Sequence, residues 1–264
     1  MEKFVMAGPT AIRYRDIGKG AKIIVLLHGY LESIEVWDDF AGELGKNFRI
    51  ISFDLPGHGI SEVMGETHTM EFIADTLNFL LEKLSVSKIN IVGHSLGGYV
   101  ALAFSKKYSS KVESLTLFHS SPNSDNEERR KGRQREIEII KSCKKELLTS
   151  VNPGKSFAPQ NRQRFEHAID ELSEQAMLTE DEGIVALLNG MTAREDMNDF
   201  LKTAPFKQLF IFGKFDEFIP NDYAESIITN NPQAKIIWLE NSGHMGFIEE
   251  EKISVEALSE FIGE

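Results

Sequence analysis

The stretch KINIVGHSLGGYVALA, residues 88–103, decides how the rest of the chain is read. Ile89, Ile91 and Val92 form the end of a buried strand, Tyr99 to Phe104 begin an apolar helix, and Gly93-His94-Ser95-Leu96-Gly97 lies between them. A G-x-S-x-G between strand and helix forces its serine onto a sharp, strained turn that lifts the hydroxyl clear of the sheet. The glycines on either side let the two backbones approach without a side-chain clash. Ser95 is therefore a candidate nucleophile.

Working outward, the same rhythm repeats. Ile23 to Leu27 is a continuous β-branched and leucine run, as expected of a strand covered on both faces, and it ends at His28-Gly29-Tyr30. Val36 to Leu44 has helical spacing, and Phe48 to Phe53 is a strand closing on Asp54-Leu55-Pro56-Gly57-His58-Gly59. Thr69 to Leu84 reads as an amphipathic helix, and Val112 to Phe118 as another strand. Residues 1–17 alternate weakly, which suits an edge hairpin with its turn at Gly8-Pro9. From Ser124 to Thr203 the pattern changes to helices without a convincing strand: Glu127 to Leu148, Gln160 to Met177, Glu180 to Met191 and Met197 to Leu201. Strands resume at Gln208 to Phe212 and Lys235 to Leu239, with helices at Asp222 to Thr229 and Ile253 to Ile262. Alternating strands and helices predict a mostly parallel, doubly wound α/β sheet built from residues 1–123 and 204–264, with residues 124–203 inserted as a helical lid.

Composition narrows the function. The 264 residues carry a net charge of -12, which argues against a nucleic-acid partner because phosphate binding needs clustered positive charge. Cys143 is the single cysteine, so neither an intrachain disulfide nor a cysteine metal site can form. There is no membrane-spanning apolar run and no leader-like start, and the expected location is cytoplasmic. Neither CxxC nor HExxH occurs, and Gly93 to Gly98 lacks a phosphate-loop lysine, so no metal, nucleotide or other cofactor is expected.

A serine hydroxyl needs a base, and the base needs an orienting acid. In open α/β sheets the site lies beyond the carboxyl ends of the strands. Two positions pass that filter: Asp216, after the strand ending at Phe212, and His244, after the strand ending at Leu239. Glu217 and Asp222 are rivals for the acid, read more simply as a solvated carboxylate or a helix cap. His68, His94 and His167 read as packing or surface residues, and His119 follows a strand but has no acid beside it in sequence. The oxyanion donors expected for acyl transfer are the backbone N–H groups of Leu96, next to the nucleophile, and Tyr30, in the loop after the first central strand. Trp37, Phe157, Met191, Phe218 and Met245 are candidate walls of a small-molecule pocket. The basic run Arg129 to Arg135 reads first as a solvated helix face balanced by Glu127, Glu128, Glu136 and Glu138, with presentation of an arginine to a substrate carboxylate as the rival.

Five segments in order, LLHGY (26–30), DLPGHGIS (54–61), GHSLGG (93–98), GKFDEFIP (213–220) and SGHMGFIE (242–249), make the whole chain resemble the α/β-hydrolase superfamily, in its lid-bearing group of esterases, enol-lactonases and haloperoxidase-like enzymes. That resemblance implies a Ser95–His244–Asp216 triad, oxyanion amides at Tyr30 and Leu96, and hydrolysis of an ester, lactone or thioester. The menaquinone-pathway lyase SHCHC synthase is similar in size and motif layout and also uses a serine triad, which keeps a non-hydrolytic reaction open. A ligand receptor on the same fold is the third reading.

Overall fold

The computed structural model describes residues 2–8 and 10–264, so Pro9 of the expected hairpin turn lies outside the described residues. Strands β1 (Lys3–Ala7) and β2 (Thr10–Ile17) form the antiparallel edge hairpin. Six further strands follow: β3 (Ile23–Leu27), β4 (Arg49–Phe53), β5 (Ile89–His94), β6 (Val112–Phe118), β7 (Lys207–Gly213) and β8 (Lys235–Leu239). The sheet order is β1-β2-β4-β3-β5-β6-β7-β8, with every pairing from β4 to β8 parallel. Parallel neighbours need crossovers, and helices α1 (Asp38–Leu44), α2 (Met70–Lys83) and α3 (Leu96–Lys107) supply the first three. Between β6 and β7 the chain forms only helices: α4 (Glu127–Lys141), α5 (Glu146–Thr149), α6 (Asn152–Ser156), α7 (Glu166–Leu178), α8 (Asp181–Ala193) and α9 (Asn198–Thr203). Then α10 (Asn221–Asn230) connects β7 to β8, and α11 (Gly246–Glu249) and α12 (Glu251–Gly263) close the chain.

The continuous apolar runs are explained by two hydrophobic layers. Val25 and Leu27 of β3 face one core with α2 and α3, while Ile24 and Leu26 face the other with α1 and α12. Successive strand side chains point to opposite faces, so β3, covered on both sides, is apolar at every position. Thr69 caps α2 as its sequence suggests, its hydroxyl accepting the Phe72 N–H at 3.1 Å. The long helix expected over Glu127 to Leu148 stops at Lys141 instead. Cys143 adopts the left-handed conformation (φ 56°), which ends a helix by breaking its φ/ψ repeat, and helical structure resumes only at α5. The helix expected from Gln160 begins at Glu166, because Pro159 opens a separate 3-10 turn. Among the described residues, no helix is long and apolar enough to cross a membrane.

Register fixes the site. Leu27 pairs with Gly93, His94 with Phe118, Phe118 with Ile211, and Gly213 with Leu239. The parallel strands therefore end side by side, and the residues that follow them gather along one edge of the sheet.

Candidate active site

Ser95 occupies φ 50°, ψ -116°, between the last residue of β5 and the first of α3. Helix α3 thus starts at Leu96, three residues before the Tyr99 boundary suggested by the apolar pattern. An L-residue with positive φ is strained, and the surroundings hold it there: the Ser95 N–H donates to the Phe118 carbonyl at 2.9 Å, and the Ser120 hydroxyl donates to the Ser95 carbonyl at 2.6 Å. The flanking glycines are sterically required. A Cβ on Gly97 would lie 2.2 Å from the Leu27 carbonyl oxygen, and one on Gly93 would lie 2.3 Å from that of Gly97. Beneath the turn, His94 is buried, its Nδ1 3.0 Å from Glu32 Oε2 and its Nε2 2.9 Å from the His244 carbonyl. Glu32 also accepts the Gly29 N–H at 2.6 Å, which ties the loop after β3 to the loop after β8.

Asp216 lies in the loop after β7, and its carboxylate is fully engaged. Oδ1 accepts the N–H groups of Phe218 (2.8 Å) and Ile219 (3.0 Å), and Oδ2 is 2.7 Å from His244 Nδ1. Burial by itself would raise this carboxyl, but the charge and hydrogen bond of His244, with His119 close by, hold it well below the usual carboxylate range. The rival acids stand apart. Glu217 is exposed and bridges Arg162, and Asp222 is exposed in the first turn of α10.

His119 corrects the sequence reading, which left it without an acid. Its Nδ1 lies 3.3 Å from Asp216 Oδ2, although the two residues sit after different strands. Nothing local in sequence reveals this pairing; the adjacency of β6 and β7 creates it. His119 is fully buried, and burial lowers it to about 4, so it is neutral at neutral pH. His68 and His94 are packed inside and His167 is exposed, as their sequence contexts suggest.

Ser95, His244, Tyr30, Leu96 and His119 line one cavity of about 380 Å³. Met191 and Phe218 line it as well. Trp37, Phe157 and Met245 do not. Trp37 packs against Phe247 (ring centroids 4.3 Å apart) and Phe40 beneath the site, Phe157 stacks on Phe165, and Met245 is buried in the same apolar layer. Being apolar and close in sequence to strand ends does not say which side of the backbone a side chain takes.

The remaining wall comes from α4. Arg129, Gly132, Arg133 and Glu136 face the cavity, while Arg130, Lys131 and Arg135 are exposed to solvent. The solvated-face reading of the basic run therefore holds for one side of the helix and fails for the other. Positions 129, 133 and 136 follow i, i+4, i+7 spacing and form one stripe. Arg133 pairs with Asp125, a buried carboxylate that also accepts Arg194 Nη1 at 2.6 Å. Burial alone would raise the Asp125 carboxyl, and the two guanidinium groups keep it below its ordinary range. Burial raises Glu136, whose Oε2 has no hydrogen-bond partner among the described residues, and the Tyr30 hydroxyl is buried without one too. Tyr99, four residues after Ser95, completes this wall; burial would raise its phenol, yet Arg194, Arg133 and Arg129 bring it down.

Among the described residues, His119, Asp216 and His244 form the cluster with metal-ligand chemistry. The 2.7 Å between His244 Nδ1 and Asp216 Oδ2 suits a shared proton. Two ligands of one tetrahedral ion stay roughly 3.3 Å apart.

Residues 22–251 match the family model described as alpha/beta hydrolase fold. Over 255 residues the chain is 28% identical to AB hydrolase superfamily protein YisY of Bacillus subtilis, covering 90% of this chain and 91% of that protein. A 121-residue stretch is 35% identical to Protein PHYLLO, chloroplastic, of Arabidopsis thaliana, and it spans 7% of that protein's length. Among solved structures, a thermophilic esterase from Thermogutta terrifontis, determined with malate bound, superposes with a TM-score of 0.92 at 26% identity, covering 99% of this chain and 98% of that one.

Proposed function

The chain belongs to the α/β-hydrolase fold family, and from that premise we propose that it is a serine hydrolase acting on a small carboxylic ester, lactone or thioester. In this reading Ser95 Oγ attacks the substrate carbonyl while its proton passes to His244 Nε2. The tetrahedral oxyanion is held by the N–H groups of Tyr30 and Leu96. Collapse breaks the bond to the leaving group, which takes the proton from His244 and leaves an acyl group on Ser95. Water, deprotonated by His244, then releases the acid. Asp216 keeps His244 in the tautomer with its proton on Nδ1, so that the Nε2 lone pair is free to act as base.

The observation that carries this reading is that His244, 2.7 Å from Asp216, lines the same cavity as a serine held at positive φ. Helices of residues 124–203 act as the lid, since α4, α6 and α8 supply cavity walls. The α4 stripe favours a substrate that carries a carboxylate away from the reacting carbonyl, because Arg129, which gives one Nη2 hydrogen bond to the Phe218 carbonyl, keeps further guanidinium N–H groups for such an anion, while Arg133 is held by Asp125. Malate bound to the Thermogutta esterase is a dicarboxylate, in keeping with that substrate class.

Activated esters of graded length, neutral and carboxylate-bearing, assayed with wild type and Ser95→Ala test the proposal. Fluorophosphonate labelling read by intact mass is the companion measurement. Single labelling and turnover by wild type, both lost in Ser95→Ala, are expected. Labelling without turnover of any ester points to the non-hydrolytic lyase reading. Absence of both overturns the hydrolase and favours a receptor, whose partner would find exposed Leu147, Val151 and Leu178 on the packed α5–α7 surface.

A further inference from the structure

We infer that the Tyr30 hydroxyl and the Glu136 carboxylate form a subsite for a hydroxyl group on the substrate, separate from the anion-binding end at Arg129. The inference deepens the hydrolase reading and rests on it for its meaning, while the binding it asserts can be measured without turnover. Tyr30 Oη and Glu136 Oε2 are buried at this cavity without a hydrogen-bond partner among the described residues. They come from opposite walls, the loop after β3 and the lid helix α4. Buried polar atoms are nearly always paired, because an unpaired one forfeits the hydrogen bond that water would give it. Burial and then the charge of Glu136 push the Tyr30 phenol up, and burial raises Glu136 against the pull of Arg133, as expected of two groups sharing one enclosed space.

The chemistry of the pair selects the group it takes. A phenol O–H donates and a carboxylate oxygen accepts, so a group lying between them has to accept one hydrogen bond and donate another. A hydroxyl does both from a single oxygen. A second carboxylate would meet Glu136 with like charge, and an ammonium would meet the Arg133 guanidinium in the same wall. Arg133 itself is turned to Asp125 through Nε and Nη2 and leaves Glu136 Oε2 unpaired.

Position sets the shape of the substrate. Arg129 and Glu136 are separated by two turns of α4, about 10 Å along its axis at 1.5 Å per residue. Arg129 Nη2 donates to the Phe218 carbonyl at 3.2 Å, and the Phe218 ring packs 4.9 Å from that of His244, so the anionic end lies on the His244 side. Glu136 and Tyr30 lie on the side of the oxyanion loop. A leaving group takes its proton from His244, which assigns the carboxylate to the leaving group and the hydroxyl to the acyl chain.

A series of 4-nitrophenyl esters of ω-hydroxyalkanoic acids of graded length, each paired with its unsubstituted counterpart, tests the subsite. At the chain length that reaches the pair, wild type should favour the hydroxylated ester about tenfold in kcat/KM, since the unsubstituted chain leaves both protein groups unpaired. Glu136→Met and Tyr30→Phe, each checked for folding by circular dichroism, should bring that ratio to within about twofold of one. A ratio of two substrates in one variant cancels any general loss of activity, including one from disturbance of the Tyr30 N–H. A ratio below about threefold at every length in wild type, or a ratio retained in either variant, overturns the inference. The comparison without turnover is NMR titration with the matching ω-hydroxyalkanamides and alkanamides. The hydroxylated amide should bind wild type with a Kd about tenfold lower, and the two amides should bind each variant equally. Equal binding in wild type overturns the inference. If wild type hydrolyses no ester, the hydrolase reading fails while the amide titration still decides the subsite.

Discussion

Replacing Asp216 by asparagine should destroy catalysis by reversing a tautomer, with the fold intact. The side-chain amide has one acceptor and one donor end. Oδ1 of the native carboxylate accepts two backbone N–H groups, from Phe218 and Ile219 at 2.8 and 3.0 Å. An NH2 group placed there would oppose two donors, and leaving both unpaired in a buried loop costs about 1–3 kcal/mol each. The asparagine oxygen therefore keeps that place, and its NH2 takes the position facing His244 Nδ1 at 2.7 Å and His119 Nδ1 at 3.3 Å. His244 can then only accept at Nδ1, and its proton moves to Nε2, where the lone pair that deprotonates Ser95 is needed. The expected fall in kcat/KM is about 10⁴-fold, or about 5.5 kcal/mol of transition-state stabilisation. Raising the pH should not restore it, because the tautomer is set by the amide and not by bulk protons. The assay is ester turnover between pH 6 and 9, with ¹⁵N shifts of the His244 ring reporting which nitrogen carries the proton. Activity within tenfold of wild type, or recovery at high pH, would refute the reasoning and move the acid elsewhere.

Trp37→Leu should lose roughly 3 kcal/mol in urea unfolding, since the ring is buried against Phe247 and Phe40, and leave KM unchanged. A KM shift of fivefold or more without loss of stability would return Trp37 to the pocket. Arg129→Met should raise KM for carboxylate-bearing esters about tenfold, the equivalent of 1.4 kcal/mol, and leave neutral esters within about twofold; equal effects on both would remove it from substrate recognition. Stability should fall as pH drops from neutral. His119 titrates near 4 when folded but at 6.5 in the unfolded chain, so unfolding takes up a proton between those values. Its contribution, roughly 3 kcal/mol, is complete above pH 6.5 and gone below about 4. Burial lowers His28, His58 and His68 as well, which acts in the same direction. A flat unfolding midpoint between pH 6.5 and 4.5 in wild type, or an unaltered slope in His119→Asn, would count against this.

Much of the architecture was legible because burial on both faces makes the central strands mostly apolar, with few polar residues such as Asn90, Ser114 and Thr116, and that bias marks them in one dimension. Ile23 to Leu27 and Val112 to Phe118 emerge as strands with the limits their sequences suggest. Helix ends were less legible. The break at Cys143 depends on one backbone conformation, and neither glycine nor proline marks it there.

The sequence by itself determined the G-x-S-x-G turn, the strands that lead to it, and the order in which Ser95, Asp216 and His244 follow strand ends, since these depend on local backbone chemistry and hydrophobic period. Only the tertiary structure decided which side chains meet. Strand register sets His119 beside Asp216, the rotation of α4 turns Arg129 and Arg133 inward and Arg130 and Arg135 outward, and packing buries Trp37, Phe157 and Met245 away from the cavity. Each of those outcomes depends on the orientation of one element against another. Residue type and spacing along a single element carry no record of it.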